Sequence, residues 1–235
     1  MIQEFLISAF FVFVVAAIVY SFFSQYYSTS SEQGIVSTIQ DGKTASTYTT
    51  AIPPSQDQPN GIAFSYAGWV KIDDFTYRYG EKKVIFSKGS EDAKQACPAL
   101  LIDSNTNSLL VMVNTYGSTE IVPISNIPAK KWIHFVIGIS QTSISVFING
   151  TLHTHHTMAQ LPKQNSGPVH MSSGGGFSGK LGKLEYFPHL VSPSDASALS
   201  LNAPEQDPSD NGVGVLPPYF GSTWWISSSR QKLKP

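Results

Sequence analysis

Three oxygen-bearing side chains at alternate positions form the clearest candidate metal site in the sequence. Asp103, Asn105 and Asn107 offer carboxylate and amide oxygens, which are the ligands that Ca²⁺ prefers. The segment lacks the glycine and the distal glutamate of an EF-hand loop, and a polar turn would use the same residues. Calcium is therefore a candidate cofactor, and we expect no other.

Carboxylates that could cleave a glycosidic bond are not paired in the sequence. Such hydrolysis needs two carboxyl groups about 5–10 Å apart. Asp73 and Asp74 are adjacent, as are Glu91 and Asp92, and neighbouring residues on a strand face opposite sides. Glu185 stands alone in its segment. We therefore expect that the protein is not an enzyme.

Histidines offer a second possibility for metal binding. On a strand, His153 and His155 would share one face, but the sequence shows no third ligand beside them. We therefore expect them to be solvated strand residues. His134 lies in an apolar segment, and we expect it to be a buried, hydrogen-bonded core residue.

Large aromatic residues near the C-terminus are the strongest candidates for ligand or partner binding. Tyr219, Phe220, Trp224 and Trp225 lie in a segment that also contains proline and glycine. Flat aromatic rings can stack on sugars, insert at a membrane interface or anchor a protein interface. The alternative is that this segment folds back and covers the rest of the protein.

The N-terminal residues predict a membrane anchor. Residues 5–23 contain no charge, proline or glycine, and a helix of about 19 residues spans roughly 28 Å, close to the thickness of a bilayer core. A cleaved signal peptide would show a basic start and a small-x-small cleavage site, and neither is present. We expect residues 1–27 to be one transmembrane helix of a single-pass protein with the lipid bilayer as a partner.

Composition excludes several classes of function. The formal net charge of −1 provides no basic field for a nucleic-acid backbone. A single cysteine excludes an intrachain disulfide and a zinc site built from several cysteines. The 41% hydrophobic and 12% aromatic content is sufficient to build a core.

The pattern of segments predicts an all-β domain over residues 61–200. Residues 28–60 are rich in Ser, Thr, Gln and Pro and predict an extended linker, whereas residues 201–235 predict a C-terminal arm. Short β-branched and aromatic runs separated by turn residues are typical of a sandwich or barrel. The predicted strands are 62–72, 83–88, 99–103, 108–114, 119–124, 132–140, 143–149, 151–157, 168–172 and 180–187.

Local signals also place turns and one helix. Asn149-Gly150 predicts a hairpin, because a type I′ turn needs positive φ at both central residues. Residues 104–108 predict a second turn. Ser192 followed by Pro193 predicts the N-cap and first position of a short helix over residues 192–199.

Five of these segments, taken in order, resemble the laminin G-like, concanavalin A-like domains. Residues 64–72 (FSYAGWVKI) are similar to the first core strand of that family, and residues 85–89 (IFSKG) to a phrase that follows it. The most recognisable hairpin is similar to residues 131–150, and the late strand after a Phe-x-Gly turn to residues 177–187. Residues 192–199 lie where the family has a short helix. The resemblance implies a jelly-roll β-sandwich and makes calcium and carbohydrate plausible ligands.

The whole layout also resembles membrane-bound minor capsid proteins of large DNA viruses. An N-terminal anchor, a lectin-like body and an aromatic arm would link an internal virion membrane to a capsid shell. We therefore expect a non-catalytic structural protein whose partners are the bilayer and neighbouring capsid proteins. A carbohydrate-binding surface protein is the first alternative, and a glycoside hydrolase is the second.

Overall fold

Two antiparallel sheets pack face to face in the part of the chain that the computed structural model describes, which comprises residues 14–19, 32–55 and 61–204. Within these ranges, thirteen strands form the sheets. Their bounds are β1 Gln33–Gly34, β2 Gln40–Asp41, β3 Ser46–Tyr48, β4 Ala63–Asp74, β5 Lys83–Gly89, β6 Ala96–Ile102, β7 Leu109–Asn114, β8 Thr119–Ile124, β9 Trp132–Ser140, β10 Ser143–Ile148, β11 Thr151–Thr157, β12 Val169–Met171 and β13 Ser178–Phe187.

The two sheets contain different numbers of strands. A seven-stranded sheet has the order β1-β13-β4-β9-β10-β11, with β2 also paired to β13. A six-stranded sheet has the order β3-β12-β5-β6-β7-β8. All ten predicted strands are present as β4–β13, which confirms the all-β sandwich. Side chains from the facing surfaces fill the space between the sheets, as expected for aligned sheet packing.

The central strand β9 shows why the sequence pattern predicts an inner position. Ile133, Phe135, Ile137 and Ile139 point into the core between the sheets. The intervening residue Val136 packs into a second cluster on the outer face of the seven-stranded sheet. Because β9 is covered on both faces, it is apolar at nearly every position.

A short helix covers that outer face. Helix α1, Pro193–Leu199, begins after Ser192, whose side-chain oxygen accepts a hydrogen bond from the Asp195 backbone N–H at 3.2 Å. The predicted N-cap and the proline at the first position are confirmed. The buried Ala196 and the half-buried Leu199 pack on the outer cluster that contains Val136.

The region predicted as a linker differs from that expectation. Strand β1 pairs with β13, β2 also pairs with β13, and β3 pairs with β12, so residues 33–48 contribute to both sheets. Ile35 and Val36 are buried in the main core. Strands of two or three residues are too short to show an alternating pattern, so composition alone suggested a linker.

The predicted anchor lies mostly outside the described residues. Within residues 1–27, only residues 14–19 are described, and they are helical. Among the residues that the structure describes, no helix combines the length and the apolar character needed to cross a membrane. The transmembrane helix over residues 1–27 therefore stays a prediction, as does the arm over residues 201–235, of which residues 205–235 lie outside the described part.

Candidate functional site

A cavity of about 320 Å³ opens between the two sheets. Its size is at the lower end of the range for small-molecule sites, which is roughly 300–1,000 Å³. Strands β4 and β13 of one sheet provide its floor, and strands β5 and β6 of the other sheet provide the opposite wall. Residues 52–54 and 164–166 border it. The lining residues are Ile52, Pro53, Pro54, Phe64, Tyr66, Lys88, Cys97, Gln164, Asn165, Ser166 and Tyr186.

Aromatic rings form the floor of this inter-sheet cavity. The Tyr66 and Tyr186 rings have centroids 5.1 Å apart, and Phe64 lies edge-on to Tyr66 at 6.2 Å. These residues alternate with outward-facing ones on β4 and β13, so their side chains necessarily reach the interior. The rings give the floor a rigid apolar surface that carries phenol hydroxyl groups.

The opposite wall carries a buried ammonium group. Lys88 is 4% exposed, and its Nζ donates a hydrogen bond to the Gly167 carbonyl oxygen. Asn165 holds the same segment, because its Nδ2 donates to the Lys88 carbonyl oxygen at 2.9 Å and its Oδ1 accepts from the Gly167 N–H at 3.1 Å. Burial lowers the pKa of the Lys88 amine, and neighbouring Cys97 opposes this change.

Apart from Lys88, the titratable side chains that line the inter-sheet cavity are neutral at neutral pH. Burial raises the pKa of the Cys97 thiol to about 12, although the Lys88 ammonium opposes the shift. Burial also raises the pKa of Tyr186 to about 12, and raises that of Tyr66 well above its ordinary value. At neutral pH the cavity thus presents hydroxyl, thiol and amide groups rather than a thiolate or a phenolate.

The groups that line the inter-sheet cavity can form hydrogen bonds with a polar ligand. None of the lining residues of the inter-sheet cavity carries a carboxylate, so it holds no acid pair for glycoside hydrolysis. The protonated Cys97 thiol is a poor nucleophile, since the thiolate is the reactive form. Hydrogen-bonding groups above aromatic rings are instead typical of sites that hold a polar organic ligand.

The candidate calcium ligands occupy the predicted turn between β6 and β7. Asp103 Oδ2 accepts a hydrogen bond from Thr106 Oγ1 at 2.6 Å, and this bond lowers the pKa of the carboxyl group. Asn107 Nδ2 donates to the Ile127 carbonyl oxygen at 3.3 Å, while Asn105 is exposed. The side chains of Asp103 and Asn107 therefore stabilise the loop, and calcium binding there stays a prediction.

The histidines do not gather around one point. His155 Nδ1 lies 2.9 Å from Ser145 Oγ, and His156 Nε2 lies 3.1 Å from Glu120 Oε2. No group of three or more His, Cys, Asp or Glu side chains within residues 14–19, 32–55 and 61–204 could hold a metal ion. The burial expected for His134 is confirmed at 2% exposure, but its Nδ1 has no hydrogen-bond partner among the described residues.

The four aromatic candidates Tyr219, Phe220, Trp224 and Trp225 lie outside the described residues, so their role in binding stays a prediction.

The inter-sheet cavity was not anticipated from the sequence. Its members come from segments that are far apart in the chain, such as residues 52–54 and 164–166. A paired buried lysine and cysteine, Lys88 and Cys97, carries no local signal that distinguishes it from ordinary strand residues.

The carboxylate of Glu185 lies near that of Glu32, which the sequence did not indicate. The pKa of Glu185 is raised, first by burial and further by the like charge of Glu32, while Lys183 opposes both. Glu32 precedes strand β1, which pairs with β13 at Gly34 and Glu185. Glu185 is therefore not alone, but neither acid lines the inter-sheet cavity.

Comparison with known proteins identifies the family of the sandwich. Residues 30–197 match the profile of the concanavalin A-like lectin/glucanases superfamily. The match covers more than half of the chain and begins close to β1. No curated protein matches the sequence.

Solved structures share the fold at low sequence identity. The receptor-binding domain of botulinum neurotoxin mosaic serotype C/D superposes with a TM-score of 0.53 and 10% identity, covering 73% of this chain and 45% of that one. The binding domain of botulinum neurotoxin DC in complex with SialylT gives 0.51 and 12%, with 73% and 46% covered. The same domain in complex with rat synaptotagmin II gives 0.50 and 13%, with 73% and 46% covered. The chain thus spans about half the length of these structures.

Proposed function

The chain belongs to the concanavalin A-like lectin/glucanases superfamily, and from this premise we propose that it is a non-catalytic binding protein that links a membrane to a neighbouring structural protein. The observation that carries the proposal is the chemistry of the inter-sheet cavity. It offers neutral hydrogen-bonding groups and one ammonium group, with no carboxylate among its lining residues. A site of this kind can bind a ligand but lacks the pair of carboxylates that glycoside hydrolysis uses.

The link to a membrane is supported by the apolar N-terminal run. Residues 5–23 contain no charged side chain and are long enough to cross a bilayer core. A single-pass anchor would hold the sandwich beside the membrane, where its surface meets adjacent proteins. In its most specific form, the proposal is that the protein is a minor virion component that connects an internal membrane to a capsid shell.

Location in the native assembly tests this bridging role. Full-length protein should fractionate with membranes or particles, resist extraction by high salt and carbonate, and be released by detergent. Cross-linking in intact particles should join it to a capsid protein. Recovery as a soluble monomer, free of both membranes and particles, would contradict the bridging role.

Carbohydrate is the second candidate ligand. Hydroxyl and amide groups above a Tyr66–Tyr186 ring floor provide donors, acceptors and an apolar surface, which suits a sugar. Neurotoxin binding domains with the same fold include one solved in complex with SialylT. The sandwich would then recognise a glycan on a neighbouring surface.

A glycan array with the full-length chain tests this candidate. We expect binding that weakens on Ser166→Ala, which removes an exposed hydroxyl group from the cavity lining, but not on Ser118→Ala, because Ser118 is exposed and does not line the cavity. Repeating the array with EDTA and then with added Ca²⁺ tests the calcium prediction at Asp103, Asn105 and Asn107. A clean negative across the array would contradict the carbohydrate candidate, and release of new reducing ends would contradict the absence of catalysis.

A further inference from the structure

Lys88 places a buried cation at the inter-sheet cavity without an anion beside it. The residue is 4% exposed, and its Nζ donates a hydrogen bond to one carbonyl oxygen, that of Gly167. An ammonium group carries three N–H bonds, so further donors remain. Within residues 14–19, 32–55 and 61–204, this Nζ forms no ion pair with a carboxylate. Buried charges in folded proteins are normally paired, so the site is suited to an anion that enters from outside the chain.

The alternation of strand β5 directs the Lys88 side chain into the space between the sheets. Phe86, two residues earlier, stacks on Tyr66 of the other sheet with ring centroids 5.6 Å apart. Residues two apart on a strand share a face, so Lys88 faces the same interior space. Cys97 on the neighbouring strand β6 also lines the cavity, and the charge interaction between the two side chains acts on the pKa of both. The Lys88 ammonium group therefore belongs to the inter-sheet cavity and not to the outer surface of the sandwich.

Charge in the inter-sheet cavity favours a ligand with one negative charge. Among the lining residues that the structure describes, Lys88 alone is charged at neutral pH. Burial without a counter-ion lowers the pKa of Lys88, and a bound anion would oppose that change by stabilising the ammonium form. A phosphate monoester carries close to two negative charges, which one ammonium group would not neutralise. A carboxylate carries one and matches the site.

The volume and the border of the inter-sheet cavity require a ligand with an apolar body. A cavity of about 150 Å³ holds a benzene molecule, so one of about 320 Å³ suits about twelve heavy atoms. Of the two segments that border the cavity, residues 52–54 are apolar, with Ile52 and Pro53 half-buried and Pro54 exposed. The other segment ends at Ser166, which is exposed and can donate a hydrogen bond to an anion. A small inorganic anion would leave most of this space unfilled.

We propose that the inter-sheet cavity binds a small monocarboxylic acid with an apolar body. The carboxylate would accept hydrogen bonds from Lys88 Nζ and from the Ser166 hydroxyl group, and the apolar body would pack against Ile52 and Pro53. Binding is non-covalent, and no bond forms or breaks. This inference rests on the proposed binding role of the inter-sheet cavity, and it names an acid in place of a neutral sugar as the ligand.

Two matched probes test the charge of the ligand. Isothermal titration of the full-length chain in a mild detergent, with detergent alone as the blank, would compare 3-phenylpropanoate with 3-phenylpropanamide, which has the same size but no charge. We expect the acid to bind about tenfold more tightly or better, because it alone forms a charge-assisted hydrogen bond with Lys88. Lys88→Met should remove that preference. Lys94→Met should retain it, because the Lys94 side chain is 82% exposed and does not line the cavity.

A third probe tests the apolar body. Acetate has the carboxylate without the phenethyl group, so it should bind about tenfold more weakly than 3-phenylpropanoate or worse, since it buries little apolar surface. Equal binding of acetate and 3-phenylpropanoate would overturn the apolar body and with it the ligand class. Ser166→Asp places a negative charge at an exposed position of the lining, and it should weaken binding of the acid without weakening binding of the amide.

The outcomes separate this inference from the broader proposal. Equal binding of acid and amide, or a preference for the acid that survives Lys88→Met, would overturn the inference and leave the bridging role, which fractionation and cross-linking test, intact. Failure of the acid, the amide and every glycan on the array would overturn the binding role of the cavity and the inference together. If Lys88→Met does not fold by circular dichroism, Ser166→Asp decides the result, because Ser166 is exposed and its replacement leaves the core unchanged.

Discussion

A Cβ atom on Gly150 would stand 2.8 Å from the Cα atom of Ser197, so the tip of the β10–β11 hairpin lies directly against helix α1. Asn149 and Gly150 both have positive φ, at 49° and 79°, as the predicted type I′ turn requires. Asn149 also holds His134 through two hydrogen bonds. One tight turn therefore positions both the end of helix α1 and strand β9.

Replacing Gly150 should destabilise the fold more than replacing a glycine of similar backbone geometry. Gly150→Ala adds a Cβ 2.7 Å from Ser200 Oγ as well as the cost of positive φ, whereas Gly174 has φ of 62° and a Cβ added there would meet nothing within 4 Å. We expect Gly174→Ala to cost about 1 kcal/mol and Gly150→Ala roughly twice that or more in urea unfolding. Equal losses would contradict the packing of the turn on the helix.

Shortening Val36 should show that the segment before β2 belongs to the folded domain. Val36 is 2% exposed in the main core, whereas Ile39, three residues later, is 37% exposed. Val36→Ala should lower the free energy of unfolding by roughly 2 kcal/mol, and Ile39→Ala should lower it much less. If both substitutions were neutral, residues 28–60 would behave as the linker that composition suggested.

His134 should make stability depend on pH in a defined window. Burial lowers its pKa to about 4 from the ordinary value of 6.5, so the unfolded chain binds the proton first as pH falls. Stability should be fully present above pH 6.5 and decline towards pH 4, by on the order of 3 kcal/mol.

Urea unfolding at several pH values measures this dependence. Glu185, whose raised pKa acts with the opposite sign, and other groups contribute to the total, so the comparison is with His134→Phe. That variant should lose the part of the slope between pH 4 and 6.5 that belongs to His134. An unchanged slope in the variant would contradict the buried, neutral imidazole.

The Cys97 thiol should be inert in the folded protein. Burial raises its pKa to about 12, and the side chain is 1% exposed. Iodoacetamide at about pH 8 should leave the native chain unmodified and alkylate it fully in guanidinium chloride, as measured by intact mass. Because the chain contains one cysteine, any added mass reports on this residue. Rapid labelling of the native chain would contradict the burial of its thiol in the wall of the inter-sheet cavity.

Local sequence patterns were sufficient to predict most of the secondary-structure elements. Strands β4–β13, the Asn149-Gly150 turn and the N-cap at Ser192 were all predicted and are confirmed. Each depends on neighbouring residues only, through alternation, positive φ or a side chain that caps a helix. Strands β1–β3 were missed because two or three residues show no period, and their stability comes from pairing with distant strands.

The cavities could not be predicted in the same way. A cavity of about 100 Å³ brings Trp69, His134 and Glu185 together from three strands, and its last wall comes from the end of a helix. The sequence suggested that Glu185 stands alone, yet strand pairing brings Glu32 close enough to raise its pKa. No spacing along the chain carries that information.

By itself the sequence determined that this chain forms an all-β sandwich of short strands with one capped helix, and it predicts the apolar N-terminal anchor. Only the tertiary structure decided which side chains meet, which of them lose water and that His134 Nδ1 is left without a partner among the described residues. The physical reason is that secondary structure follows from contacts between near neighbours. A cavity depends instead on the register and packing of strands that lie far apart in the chain.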